Sequence, residues 1–270
     1  MDPQHRLFLE CAWQAVEEAG YTPAGLKACA PSAGGPAAGG DVGVFVGVMN
    51  QPYRLVGLPA TAAGKVVQNG HWSVANRVSY HLDFNGPSLA IDTACSASLT
   101  AVHLACASLA RGECAVAVAG GVNLILHPLQ SLELGRMGML SPSDACRPFA
   151  DGADGTLQGE GVGALVLKPL DRALADGDPI RAVILGSAVN AGGRTAGYTV
   201  PSPVAQRRAI AAALAEAGVG GGDIAHVECH GTGTDLGDPI ELNALADALD
   251  GGAARPEPVV VGSVKGNIGH

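Results

Sequence analysis

Cys95, His230 and His270 carry the side chains best suited to nucleophilic and acid–base chemistry in this chain. A thiolate attacks carbonyl carbon, and an imidazole moves protons or donates a hydrogen bond to a developing oxyanion. Ser88-Leu-Ala-Ile91 reads as a short buried strand, and Asp92-Thr-Ala94 as a turn. Residues 96–111 are Ala-rich and apolar almost all round, which predicts a helix buried in the core. Cys95 therefore falls where a strand feeds a helix N-terminus, whose unpaired N–H groups and dipole favour an anion. Strand-to-helix turns also present nucleophiles in other enzymes. The plain alternative is a small buried cysteine with no chemistry.

The two histidines stand at comparable points. His230-Gly-Thr-Gly-Thr234 follows an apolar run over 224–229, and Asn267-Ile-Gly-His270 follows Val259-Val-Val261. The alternating glycines let backbone and ligand approach closely, and two threonine hydroxyls remain to donate or accept. In open α/β sheets, ligands gather beyond the carboxyl ends of strands. Either histidine alone also reads as a satisfied structural side chain. Cys95 and both histidines at strand ends together predict nucleophilic acyl chemistry. His226, Cys229 and His230 admit a metal reading, which lacks the further well-spaced ligands a site needs.

The elements that must carry these residues are legible in outline. Asp2-Pro3 predicts a helix start, with Leu9, Trp13 and Val16 on its inward face and Gly20 as its stop. Residues 28–40 read as an Ala/Gly/Pro loop. Residues 41–47, 115–121, 163–167 and 181–190 read as strands, and 206–218 as a helix. Asp238-Pro-Ile-Glu241 predicts an N-cap, a Pro in the first turn and a capping-box Glu, opening a helix to about Leu249. Residues 251–258 read as a turn. Strand–helix–strand order implies a parallel sheet covered on both faces.

Composition narrows the classes further. The chain has 270 residues, 47% hydrophobic and 15% charged, enough for a substantial α/β core. A net charge of -9 argues against nucleic acid as the main partner. No long stretch free of polar groups suggests a membrane span, and the first residues lack the apolar run of a signal peptide. Seven cysteines without a CxxC pair fit reduced thiols in a cytoplasm.

Asp92-Thr-Ala-Cys-Ser-Ala-Ser-Leu99, His230-Gly-Thr-Gly-Thr-Asp-Leu-Gly-Asp-Pro-Ile-Glu241 and Val264-Lys-Gly-Asn-Ile-Gly-His270 resemble the active-site motifs of β-ketoacyl synthases. The chain is more narrowly similar to ketosynthase domains of modular type I polyketide synthases. Met1-Asp-Pro-Gln-His-Arg6 and Gly159-Glu-Gly161 match that pattern as well. The resemblance runs over essentially the whole chain and implies a fragment truncated at both ends. Residues 1–198 would be the N-terminal half of the domain, without its first strand, and 199–270 the beginning of the C-terminal half.

The fold so implied is α/β and thiolase-like, with two similar halves in α-β-α-β-α layers. The activity implied is polyketide chain elongation by decarboxylative Claisen condensation. Cys95 would accept the acyl group, while His230 and His270 would assist decarboxylation and stabilise the enolate. Lys265 would orient or charge the site, and Thr232 and Thr234 would contact the pantetheine arm. The family has no cofactor of its own, because phosphopantetheine arrives on the acyl carrier protein. Carrier protein, a second copy in a homodimer and other domains of a multienzyme are the implied partners. Residues 191–202 resemble ketosynthases whose acyltransferase acts in trans.

A thiolase would place a second catalytic cysteine where His270 stands. A chalcone-type enzyme would end its last motif in Asn, and a cysteine hydrolase would lack the second histidine. The non-enzymatic alternative is a dead ketosynthase-like partner that only binds carrier protein or dimerises; such subunits lack the nucleophile that Cys95 supplies.

Overall fold

The computed structural model describes residues 1–29, 41–56, 70–250 and 257–270. Most of the expected loop over 28–40 and the turn at 251–258 lie outside these. The described residues fall into two units: Met1–His127 with Gly161–Val183, and Pro128–Glu160 with Ile184–His270.

The first unit is built on a four-stranded sheet in the order β2-β1-β3-β4. Its strands are β1 (Val42–Gly47), β2 (Ser88–Ile91), β3 (Val116–Asn123) and β4 (Gly161–Leu167). β1 runs parallel to both β2 and β3, and β4 pairs antiparallel with β3. Every residue of β1 is buried, because helices cover both faces of the sheet there. Val44, Val46, Val116 and Val118 pack under α1 (Pro3–Glu18) and α3 (Trp72–Leu82). Phe45, Ala117 and Ala119 point the other way, against Ala101 and Ala105 of α4 (Ala97–Ala110). Strands buried on both faces read as continuous apolar runs without alternation, as these do.

The Asp2 side chain caps α1 by accepting the Gln4 N–H at 2.9 Å, with Pro3 in the first turn. The short helix α2 (Pro23–Ala28) follows under the same chemistry, with Thr22 accepting the Gly25 N–H at 3.0 Å. Lys168, just past β4, donates to Asp178 at 2.7 Å and to Tyr21 at 3.1 Å, tying the chain after α6 (Leu170–Asp176) back to the α1–α2 turn.

Several sequence expectations need correction in this unit. The inward face of α1 is Gln4, His5, Phe8, Ala12 and Val16, while Trp13 is 42% exposed. Two apolar stripes overlap on this helix, and the one spaced by four residues meets the sheet. β2 is an edge strand with Leu89 45% exposed, not a buried one. α4 hides only Ala97, Ala101, Ala105 and Ser108, and Leu99 on its far side is 75% exposed. An all-apolar helix does not reveal which of its faces has a neighbour.

The second unit contains α5 (Leu129–Arg136), α7 (Pro203–Ala217), α8 (Gly237–Asp250) and the short α9 (Lys265–Ile268). Its strands β5 (His226–Glu228) and β6 (Val260–Gly262) form a two-stranded parallel sheet. Ser202 caps α7 by accepting the Ala205 N–H at 3.2 Å, and Gly218 ends it at φ +68°. A small core joins Cys229, Leu245 and Leu249 to Ile210, Leu214 and Val227.

Residues 181–190 form no strand among the described residues. A strand needs a ladder partner, and this segment spends its polar groups on α7. The Ser187 N–H reaches Glu216 Oε2 at 2.6 Å and the Asn190 side chain reaches the Ala205 carbonyl at 2.8 Å.

Candidate active site

Cys95 is exposed on the turn between β2 and α4. Ala94, immediately before it, lies at φ +54°, a left-handed conformation that an L-alanine rarely adopts. Such strain persists where neighbouring bonds over-determine it. Here the Ala94 N–H donates to Asp92 Oδ1 at 3.0 Å and the Ala94 carbonyl accepts the Ala97 N–H at 3.0 Å. The Ser96 hydroxyl donates to the Thr93 carbonyl and to Thr93 Oγ1, both at 2.9 Å. Below the turn, Gly47 and Gly121 let α4 sit directly on the strand ends. A Cβ on Gly47 would lie 2.4 Å from the Ser98 nitrogen, and one on Gly121 2.8 Å from Ser98 Cβ.

In the second unit, the His230 and His270 rings meet edge to face with centroids 5.1 Å apart. The sequence places them forty residues apart, and backbone ties bring them together. The His270 N–H donates to the Leu157 carbonyl and its carbonyl accepts the Gly159 N–H, each at 2.7 Å. This crossing is close enough to require glycine on both segments. A Cβ on Gly159 would meet the Ile268 carbonyl at 2.7 Å, and Gly269, at φ +77°, faces the Gln158 carbonyl.

Carboxylates brace the His230 loop. Glu241 accepts the N–H of His230 at 2.6 Å and of Gly231 at 2.8 Å. Asp238, 4% exposed, accepts the N–H of Phe149 at 2.8 Å and of Gly233 at 3.2 Å. The Val264 N–H, next to Lys265, goes to Glu228 at 2.8 Å. The sequence pattern predicts Asp238 as the N-cap and Glu241 as a capping-box residue of α8. Instead α8 begins at Gly237, the Thr234 hydroxyl takes the Gly237 N–H at 3.2 Å, and both acids turn to the loop. Their spacing after His230 was the only available signal. Asp154, by contrast, holds a turn, accepting the Ser141 hydroxyl at 2.6 Å.

Electrostatics favour the neutral form of both imidazoles. His230 retains an exposed edge, yet the protein around it displaces water, and this burial with the Lys265 charge lowers its pKa. Burial lowers that of His270 to about 4, with His230 and Lys265 adding to the shift. Lys265 Nζ makes a long 3.5 Å contact with the Cys229 carbonyl. Thr232 contributes its carbonyl to a contact with Cys146 Sγ at 3.5 Å. Neutral imidazoles beside a lysine can donate hydrogen bonds to an anion without carrying charge themselves. Among the described residues, no three His, Cys, Asp or Glu side chains are grouped to hold a metal ion.

Comparison with known proteins adds family-level evidence. Residues 1–173 match the family model for the beta-ketoacyl synthase N-terminal domain, and residues 181–270 the model for its C-terminal domain. The chain is 53% identical over its full length to polyketide synthase ThaG of Burkholderia thailandensis, of which it covers 5%. It is 50% identical to polyketide synthase PksM of Bacillus subtilis, covering 6% of that protein. The oxazolomycin ketosynthase domain OzmH KS7 of Streptomyces albus superimposes with a TM-score of 0.92 at 45% identity. That match covers all of this chain and 45% of the solved one.

Proposed function

We propose that this chain, which belongs to the β-ketoacyl synthase family and has its thiolase-like α/β fold, carries the acyl-accepting and decarboxylation-assisting groups of a polyketide ketosynthase. The paired, neutral His230 and His270 carry this reading, together with Cys95 at a strained strand-to-helix turn.

The Cys95 thiol gives up its proton and attacks an acyl thioester as the thiolate; the pantetheine sulfur leaves as a thiolate and takes up a proton, giving an acyl-enzyme and a free pantetheine thiol. A malonyl-type extender then loses carbon dioxide. The imidazoles of His230 and His270 donate hydrogen bonds to the enolate oxygen so formed. The enolate carbon attacks the Cys95 thioester, the Cys95 backbone N–H at the start of α4 supports the oxyanion, and the tetrahedral intermediate collapses by breaking the C–S bond and releasing Cys95 as thiolate. Lys265 holds positive charge beside the imidazoles and disfavours their protonation. Thr232 and Thr234 contact the pantetheine arm.

In this reading residues 1–198 belong to the N-terminal half of the domain and 199–270 open its C-terminal half. The partners are acyl carrier protein, a second copy in the complete domain and the other domains of a multienzyme. No cofactor is bound beyond the carrier's phosphopantetheine. Seven cysteines without a disulfide among them suit a reducing cytoplasm, and no helix among the described residues is long and apolar enough to cross a membrane.

The test is intact-protein mass spectrometry after incubation with acetyl-pantetheine. One acyl adduct is expected on the native chain and none on Cys95→Ala. An adduct of equal size on Cys95→Ala, or none on either this chain or a full-length domain, overturns the reading.

A further inference from the structure

We propose that Gln4 is a positioning residue for Cys95: its buried carboxamide ties the chain just past β1 to the chain just past β3, fixing the sheet edge on which the Cys95 turn rests. The inference builds on the reading of Cys95 as nucleophile.

Gln4 is 1% exposed, in the first turn of α1. Its backbone N–H belongs to the Asp2 cap, which leaves the side chain to reach inward. Nε2 donates to the Asn50 carbonyl at 2.8 Å, and Oε1 accepts the Leu124 N–H at 3.1 Å. Asn50 lies three residues beyond the end of β1, and Leu124 one beyond the end of β3. Asn50 Nδ2 adds a parallel tie to Asn123 Oδ1 at 3.2 Å.

The tied segments continue directly into the support of the nucleophile. Gly47 and Gly121 pair in register across β1 and β3, and the first turn of α4 rests on both. The Val48 N–H, just before the tied segment, donates to the Ile91 carbonyl at 2.9 Å, four residues ahead of Cys95. A change in the spacing of the two strand ends is therefore passed to the Cys95 turn by contacts with no slack. A carboxamide buried at the start of α1, beside the buried Asp2 and His5, costs desolvation that its two bonds offset, and an apolar filler would serve stability as well. What an apolar filler does not do is hold two strand ends at a set separation at the ligand edge of the sheet.

The experiment measures acylation of Cys95 by acetyl-pantetheine and its alkylation by iodoacetamide against pH, both read by peptide mass spectrometry, with melting followed alongside. Gln4→Asn is one methylene short of spanning both backbone groups. It is expected to slow both reactions of Cys95 on the order of tenfold to a hundredfold, the size expected for a sub-ångström to ångström misplacement. The midpoint of the alkylation pH profile moves with it, which a loss of stability alone would not produce. Gln4→Glu keeps the length and the acceptor for Leu124 but, as a carboxylate, has no hydrogen for Asn50, and it recovers part of the rate. Arg6→Ala, exposed on the same helix turn, leaves both rates unchanged. Should Gln4→Asn lose its cooperative melt, Gln4→Glu decides the matter by the same readouts. Native rates and an unmoved pH midpoint in the folded Gln4 variants overturn the proposal. If native Cys95 is alkylated but never acylated, the ketosynthase reading fails while the alkylation series still judges Gln4.

Discussion

The two units hold their chemical groups in opposite ways. Under Cys95, apolar packing on both faces of β1 and β3 sets the backbone, and glycines bring α4 onto it. Around His230 and Lys265, carboxylates of Glu228, Asp238 and Glu241 collect backbone N–H groups of loops, over a core of only a few side chains. A nucleophile on a rigid turn tolerates little motion. Imidazoles that meet successive anions are served by loops braced with polar contacts. Substitutions should therefore act through volume in the first unit and through charge in the second.

The sharpest way to break this contrast is Phe45→Ala. Phe45 is 1% exposed between the sheet and α4, and the expected loss is about 3 to 5 kcal/mol of unfolding free energy, measured by urea denaturation. A loss under about 1 kcal/mol would mean that packing does not govern this unit. Next is Glu241→Ala, which strands the N–H groups of His230 and Gly231. We expect about 1 to 2 kcal/mol, with amide hydrogen exchange accelerated at 230–234 and unchanged along β1. Equal acceleration in β1 would dissolve the distinction.

A third test of the contrast is the pH response. The folded His270 pKa of about 4 lies below its ordinary value of 6.5, so the unfolded chain binds the proton first as pH falls. Stability is then full above about pH 6.5 and declines toward pH 4. A His270→Gln variant should flatten that part of the curve in denaturation midpoints taken across the range. A native curve already flat from pH 7 to 4 would show that the imidazole is not shielded.

What could be read from the sequence follows the reach of each signal. Asp2 as a cap, Gly20 as a stop, and the apolar runs of β1, β3 and β4 are local, and they stand as expected, whereas α7 begins at Pro203 under the Ser202 cap, three residues before the predicted 206. The Asp92-Thr-Ala-Cys turn was legible for the same reason. The face of α1 that turns inward, the exposed flank of α4 and the unpaired state of 181–190 depend on neighbours far along the chain. So does the role of Glu241: as a residue in the first turn of a helix it looks like a cap, and only the folded loop shows it serving His230. Thr22-Pro23 is a local start signal for α2, but a helix of a turn and a half is too short to show an apolar period beside it.

The backbone clasp between His270 and the Leu157–Gly159 stretch also bears on time. The partners are separated by more than a hundred residues, so a ribosome adding about 5 to 20 residues per second needs on the order of 6 to 20 s between them. Throughout that interval the Leu157 carbonyl has yet to meet the His270 N–H. The imidazole pair thus cannot form until His270 has been added.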